Sequence, residues 1–207
     1  LDSKEKKSES SPLLVGITGG IGSGKTSLAN LFRQAGYSVY DADKRARSLQ
    51  NEDASLRQAI TKLMGSKAYL PSGELNRPWL ANIVFNRPEL LLQLNETVHP
   101  VVKRDFLRWA AERQEANILF LESAILFESG FWTLFHKIIN VTADKDLRIQ
   151  RVMKRDGITR QQVMERIERQ LPEEERNARS HIIISTNQGL PSPEELKKLL
   201  AELGNSV

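Results

Sequence analysis

Eight consecutive residues, Gly19-Gly20-Ile21-Gly22-Ser23-Gly24-Lys25-Thr26, constrain this chain more than any other feature. They fit the pattern G-x-x-x-x-G-K-[ST]. Glycines let the backbone curl until successive N–H groups face one centre. That nest, with the helix N-terminus that follows it, attracts phosphate oxygens. The lysine of the pattern reaches the β- and γ-phosphates of a nucleoside triphosphate, and the hydroxyl after it ligates Mg²⁺. The competing explanation is a glycine-rich turn in front of a helix. With average residue usage the fixed positions coincide in a chain of this length roughly once in a hundred. The surroundings also match the mechanism. Residues 13–18 read as a buried strand, and 25–34 has helical periodicity through Leu28, Leu31 and Phe32. The sequence therefore predicts a nucleotide site. Gly20, Ile21, Gly22, Ser23, Gly24 and Lys25 hold phosphates there, and Thr26 holds Mg²⁺.

Gly36 stands where a helix C′ glycine belongs, and residues 38–40 form a short β-prone run ending in Asp41-Ala42-Asp43. Strand, loop, helix and strand in this order make a βαβ unit of a parallel sheet. From 44 to 115 the pattern changes to helical segments at 46–50, 56–64, 78–85, 88–97 and 100–115, with no strand between them. Pro78, Pro88 and Pro100 each suit a first helical turn. Strands resume at 118–121, 138–141 and 182–184. Residues 147–178 read as helical and highly charged, and 194–203 as a closing helix. The expected fold is α/β, a three-layer core with a parallel sheet. Its parts are a nucleotide-binding core (12–43, 117–147 and 180–207), a helical insertion for an acceptor (44–116) and a short helical lid (148–179). Residues 1–11 are polar and low in complexity, and are expected to be a tail outside the fold.

The net charge of +4 and pI of about 9.4 suit either a nucleic-acid binder or an enzyme for polyanionic nucleotides. Location decides between them. Between Arg148 and Arg179 nine Lys or Arg face six Asp or Glu, and they are not interleaved with aromatics on a strand face. A small-molecule nucleotide therefore fits better than nucleic acid. The absence of Cys excludes a disulfide framework and thiolate metal sites. The longest apolar stretches, such as 117–127, contain Glu or Ser and are too short to span a bilayer. No apolar leader precedes the first strand, so a soluble cytoplasmic protein is expected, with no protein partner implied. The Asp-x-x-Gly and Asn-Lys-x-Asp motifs of GTPases do not occur, and a large motor needs more residues. A small-molecule kinase remains.

Asp41 and Asp43 follow the second strand, at the carboxyl end where ligands of open parallel sheets bind. Phosphoryl transfer to an alcohol needs a carboxylate near the acceptor hydroxyl. The alternative is a turn with a helix N-cap, which Asp43 would suit. Glu122 closes the third strand, and either helps hold Mg²⁺ through water or caps the next turn. Arg148, Arg151 and Arg155 are spaced to share one helical face, as arginines that neutralise a transferring phosphoryl group would. A solvated face laced with Glu165, Glu168 and Glu173 is the alternative. Arg47 and Arg77 suit either acceptor phosphates or surface ion pairs. His99 reads first as a hydrogen-bonded structural residue rather than a catalyst, with orienting the acceptor as the alternative, and Trp79, Trp109 and Trp132 as core or cleft wall.

The run from Gly16-Ile17-Thr18 through the glycine-rich loop to Asp41-Ala42-Asp43-x-x-Ala46-Arg47 resembles the N-terminal signature of dephospho-coenzyme A kinases. Further matches follow in order. They are Gly73-Glu74-Leu75-Asn76-Arg77 with Leu80 and Val84-Phe85, His99-Pro100, Leu126-Phe127-Glu128, Gln150-Arg151 with Arg155-Asp156, and Asn187 with Gly189. The resemblance runs from about 13 to 203. It implies a P-loop fold and ATP-dependent phosphorylation of the ribose 3′-hydroxyl of dephospho-CoA, the last step of coenzyme A biosynthesis, with Mg²⁺. It further implies that Asp43 is the base and Asp41 a metal-side or positioning carboxylate. Arg151 becomes the lid arginine that meets the transferring phosphate. Asn187 and Gly189 fall on the nucleotide side, and Arg47, Arg77 and His99 on the acceptor side. The chain departs from the family pattern at Ala124, where a Pro is usual, and at Glu122 and Ser123, which replace apolar residues.

Overall fold

A computed structural model describes residues 11–85 and 87–204. Residues 1–10 of the expected tail, and 205–207 of the expected core, lie outside them. Five parallel strands run in the order β2-β3-β1-β4-β5. They are β1 (Leu13–Gly19), β2 (Ser38–Asp41), β3 (Ile118–Glu122), β4 (Lys137–Thr142) and β5 (Ile182–Ser185). Strand alternation sends side chains to two faces. On one face, Leu13, Val15, Ile17, Phe120 and Val141 form a cluster with Leu28 and Phe32 of α1 (Lys25–Gln34) and Leu199 and Leu203 of α9 (Pro193–Gly204). The Phe32 ring stacks on Phe120 with centroids 4.1 Å apart. On the other face, Tyr40, Leu121 and Ile138 pack with the insertion helices α2 (Ala42–Glu52), α3 (Ala54–Met64), α4 (Arg77–Phe85) and α5 (Pro88–Ala111). The result is the expected three layers. Gly16 is glycine for a packing reason: a Cβ there would sit 2.7 Å from Leu126 Cδ2, in the segment after β3 that lies across β1.

One expectation about elements needs correction. The helices expected at 88–97 and 100–115 are one helix of 24 residues, α5, with Pro100 inside it. A mid-helix proline costs about 3 kcal/mol. Here Val98, Val102 and Phe106, on both sides of Pro100, are buried along one stripe, and that continuous burial outweighs the lost hydrogen bond. The insertion has no strand among the described residues, as expected, and only an isolated antiparallel bridge, Tyr69 to Leu75. The charged stretch 147–178 is three helices, α6 (Lys145–Asp156), α7 (Arg160–Glu168) and α8 (Glu173–Ala178). Gly157, at φ 67°, ends α6, and a Thr159/Gln162 capping box starts α7. Trp132 is not core: it is exposed, with the Arg179 guanidinium 5.3 Å from its ring.

The buried carboxylate of Asp105 ties the insertion to the sheet. It accepts from Tyr40 Oη at 2.8 Å, Arg45 Nε at 2.9 Å and Arg108 Nη2 at 2.7 Å. The Arg45 hydrogen bond, against burial, holds its pKa below the ordinary carboxylate range. This stabilisation is present above the unfolded pKa of about 4 and is lost as pH falls through the lower folded value. Asp105→Ala is expected to destabilise the protein by about 2–4 kcal/mol, since it leaves the buried Tyr40 hydroxyl without its acceptor and leaves the Arg45 guanidinium with Glu52 as its remaining carboxylate. Urea melts at pH 7 and pH 3 check this: the difference between wild type and variant shrinks at the lower pH.

Candidate active site

The phosphate loop joins β1 to α1. Gly22 and Gly24 have φ of 78° and 95°, conformations that glycine adopts without strain. Gly24 is the N-cap of α1 and supplies no side-chain cap, so the first-turn amides of α1 remain for an anion. Lys25 opens the helix half-buried, and its charge acts on both Asp43 and Glu122.

Glu122 is the last residue of β3, in register beside Ile17 of β1 and Asp41 of β2. Thr26 Oγ1 donates to its Oε1 at 2.5 Å. Its Oε2 is buried without a hydrogen-bond partner, with Arg33 Nη2 at 3.9 Å. Burial raises the Glu122 pKa, offset by the Thr26 hydroxyl and Lys25 and reinforced by Asp41. The turn after β3 is held by other groups. Ser123 N donates to Ile17 O, Ala124 N to Asp43 Oδ2 at 3.4 Å, and Ile125 N to Ser123 Oγ. Glu122 therefore faces the loop hydroxyl rather than capping the turn. Among the described residues no three His, Cys, Asp or Glu side chains form a metal cage. A Mg²⁺ ion keeps several waters and takes few protein ligands, and a buried carboxylate on the Thr26 hydroxyl, with its Oε2 free of hydrogen bonds, fits that requirement.

Of the aspartate pair, Asp41 is the helix cap: its Oδ1 accepts from Lys44 N at 2.8 Å. The capping alternative for Asp43 is overturned, because α2 already begins at Ala42. Asp43 lies in the first turn, half-buried, with its pKa raised chiefly by burial and further by Asp41. Lys25, the Ala124 amide and Arg47 offset part of that rise. The helix separates two sides. Asp41, Lys44, Arg45 and Ser48 line a cavity of about 590 Å³ over β2, whereas Arg47 acts on Asp43. Arg77 donates to Arg47 O at 3.0 Å and to Gln50 Oε1 at 2.9 Å. Both guanidiniums therefore belong to the helix that carries Asp43 or to its neighbour, and the surface ion pairs that were the alternative for them are not formed among the described residues. Burial, then Arg47, lowers the Arg77 pKa. His99 packs edge-on against Phe131 at 6.2 Å, and burial lowers its pKa.

The three spaced arginines of α6 separate. Arg148 is buried, 3% exposed. Arg151 donates to Thr186 Oγ1 at 2.7 Å, Thr186 O at 2.8 Å and, at 3.4 Å, Gly22 O. Arg155 is exposed and paired with Asp156 at 2.7 Å, so the expectation that all three face a phosphoryl group fails for it. Asn187 braces the segment after β5, accepting from Asp144 N and donating to Asp144 Oδ1, both at 2.8 Å. Gly189 follows with φ 113°.

A family model for dephospho-CoA kinase matches residues 13–192. The dephospho-CoA kinase of Porphyromonas gingivalis is 42% identical over 155 residues, covering 75% of this chain and 76% of its own. That of Thermus thermophilus is 39% identical over 194 residues, covering 93% of this chain and 92% of its own. A crystal structure of a Thermus thermophilus protein superposes with a TM-score of 0.75 at 37% identity, covering 94% of this chain and 99% of that one. The chain belongs to the dephospho-CoA kinase family.

Within this family member, sequence reasoning missed the groups that touch the phosphate loop from as far as 149 residues away. Gln170 Oε1 accepts from Ile21 N at 2.8 Å, so the expectation that the Ile21 amide holds a phosphate is corrected: that donor is already taken. Arg148 reads in sequence as one of a row on a face, and Arg176 does not stand out at all. Both guanidiniums lie against Gly20, where a Cβ would fall 2.3 Å from Arg148 Nη2 and 2.9 Å from Arg176 Nη2. A local signal exists only for Gly20 itself, a second glycine beyond what the motif requires.

Proposed function

We propose that this protein transfers the γ-phosphoryl group of ATP to the ribose 3′-hydroxyl of dephospho-CoA, giving ADP and CoA, the last step of coenzyme A biosynthesis. The observation that carries the reading is Asp43. It is a half-buried carboxylate with a raised pKa, at the carboxyl end of the sheet and within the electrostatic reach of Lys25. In this reading Lys25 and the loop amides after Ile21 hold the phosphates, and Asp43 orients and deprotonates the hydroxyl. Arg151, anchored on Thr186, presents its charge from the edge of the loop. Mg²⁺, when bound, supplies charge neutralisation on the phosphate oxygens. Thr26, with Glu122 or Asp41 through water, would hold it. Residues 44–116 serve as the acceptor domain and 148–179 as the lid. Asn187 and Gly189 border the nucleotide.

The test is a coupled ADP-release assay with dephospho-CoA as acceptor. ADP release that depends on dephospho-CoA is the expected result, and its absence with active ATP binding would reject the acceptor. The acceptor is long, and contacts remote from the reacting hydroxyl raise kcat by orienting it. Adenosine is therefore expected to be at least about a hundredfold worse in kcat/KM. Arg47→Ala and Arg77→Ala are each expected to raise the KM for dephospho-CoA about tenfold, the scale of one charged hydrogen bond, with the KM for ATP unchanged. Equal kcat/KM for adenosine and dephospho-CoA would point to a nucleoside kinase instead.

A further inference from the structure

One peptide of the phosphate loop is held at both ends by distant side chains. The Ile21 N–H donates to Gln170 Oε1 at 2.8 Å, and the Ile21 carbonyl accepts from Arg148 Nε at 3.0 Å. Arg148 Nη1 in turn pairs with Glu173 Oε2 at 2.5 Å. Gln170 and Glu173 flank the turn between α7 and α8, so the contacts close a ring: Gln170, the Ile21 peptide, Arg148, Glu173. Glu173 also accepts from Thr142 at the end of β4. The turn is anchored again where Leu171 N donates to Glu128 Oε1 at 3.2 Å and Arg176 donates to Leu171 O. Arg148 and Arg176 are each 3% exposed, so the loop side of the ring sits out of water, where a hydrogen bond is worth more. Their guanidiniums lie where a Cβ at Gly20 would go, so only a glycine there lets them approach the loop backbone this closely.

We infer that Gln170 is a positioning residue that acts through the Ile21 peptide, making the phosphate-ready shape of the loop and the closed position of the 160–178 segment a single equilibrium. The inference rests on the kinase reading above. A loop amide given to a side chain does not serve a phosphate; it sets the curl that aims the amides after it. Because its acceptor stands on the lid segment, opening that segment releases the loop, and closing it excludes water from the phosphates.

Gln170→Met keeps length and volume and removes the acceptor oxygen. Gln170→Glu keeps an acceptor at the same reach. Two readouts are measured on the full chain. They are the dissociation rate of a fluorescent ATP analogue, and the ratio of acceptor-independent ATP hydrolysis to transfer onto dephospho-CoA. Gln170→Met is expected to speed dissociation about three- to tenfold, the range of one hydrogen bond, and to raise the ratio by a similar factor. Gln170→Glu is expected to keep the ratio near that of wild type, whatever its added charge does to ATP affinity. A Gln170→Met protein with wild-type dissociation and ratio overturns the inference, as does a change in melting temperature with neither readout moved. A ratio raised equally by Gln170→Glu overturns it as well. If the wild type does not phosphorylate dephospho-CoA, the acceptor assignment fails, and the analogue dissociation rates alone still decide the role of Gln170.

Discussion

Lys25→Ala is expected to lower turnover at least about a hundredfold, the scale of one electrostatic contact to a transition state. Two effects act in the same direction. The variant lacks the charge that the motif places on the β- and γ-phosphates. It also removes the cation that offsets burial at both Asp43 and Glu122. Both carboxyls then rise further in pKa, so less of Asp43 is ionised near neutral pH. The fold is expected to survive, because Lys25 is only half-buried at the first position of α1 and alanine is a good helix former. Steady-state kinetics with a thermal melt check both statements. Near-normal turnover in a folded variant would remove the phosphate loop from the mechanism.

Asp43→Asn is expected to depress kcat by about a hundredfold or more, the range of a general base, with little change in ATP affinity. Burial raises the pKa of Asp43 above the ordinary carboxylate value. The wild-type rate should therefore fall on the acid side at a higher pH than an exposed aspartate would give, as the carboxylate takes up its proton. The asparagine variant has no proton to take up and should lose that limb of the profile. Nucleotide titration and a pH–rate profile of both proteins make the comparison. Should ATP binding collapse while residual chemistry proceeds normally, Asp43 is a metal-side or structural residue and the assignment is wrong.

The same aspartate shows where local patterns stop being enough. An Asp-Ala-Asp run ahead of a helix carries two capping candidates, and the backbone alone decides between them. With Asp41 in extended conformation at φ −93°, the first residue of the pair takes the cap and the second is left inside the first turn. Pro100 is the opposite case. The rule that proline opens helices is local, and it lost to a stripe of buried residues that runs past it. Arg148, Arg151 and Arg155 share a face by periodicity, yet one is buried in the loop's wall, one is pinned on Thr186 and one is paired at the surface. Periodicity reports direction around a helix axis and says nothing of what waits on that side.

What the sequence determined by itself was everything a short segment can impose on its own backbone. The loop's curl follows from glycines at 22 and 24, the strand and helix around it from alternating and helical periods, and the parallel run of the strands from connections too long for hairpins. Tertiary structure alone decided which side chains meet there. Thr26 and Glu122 are 96 residues apart, Arg148 and Ile21 127, and Gln170 and Ile21 149. A hydrogen bond between groups that far apart leaves no periodic trace in the chain, because it exists only after the sheet has brought the ends of β1 and β3 together and α6 to α8 have folded back over the loop.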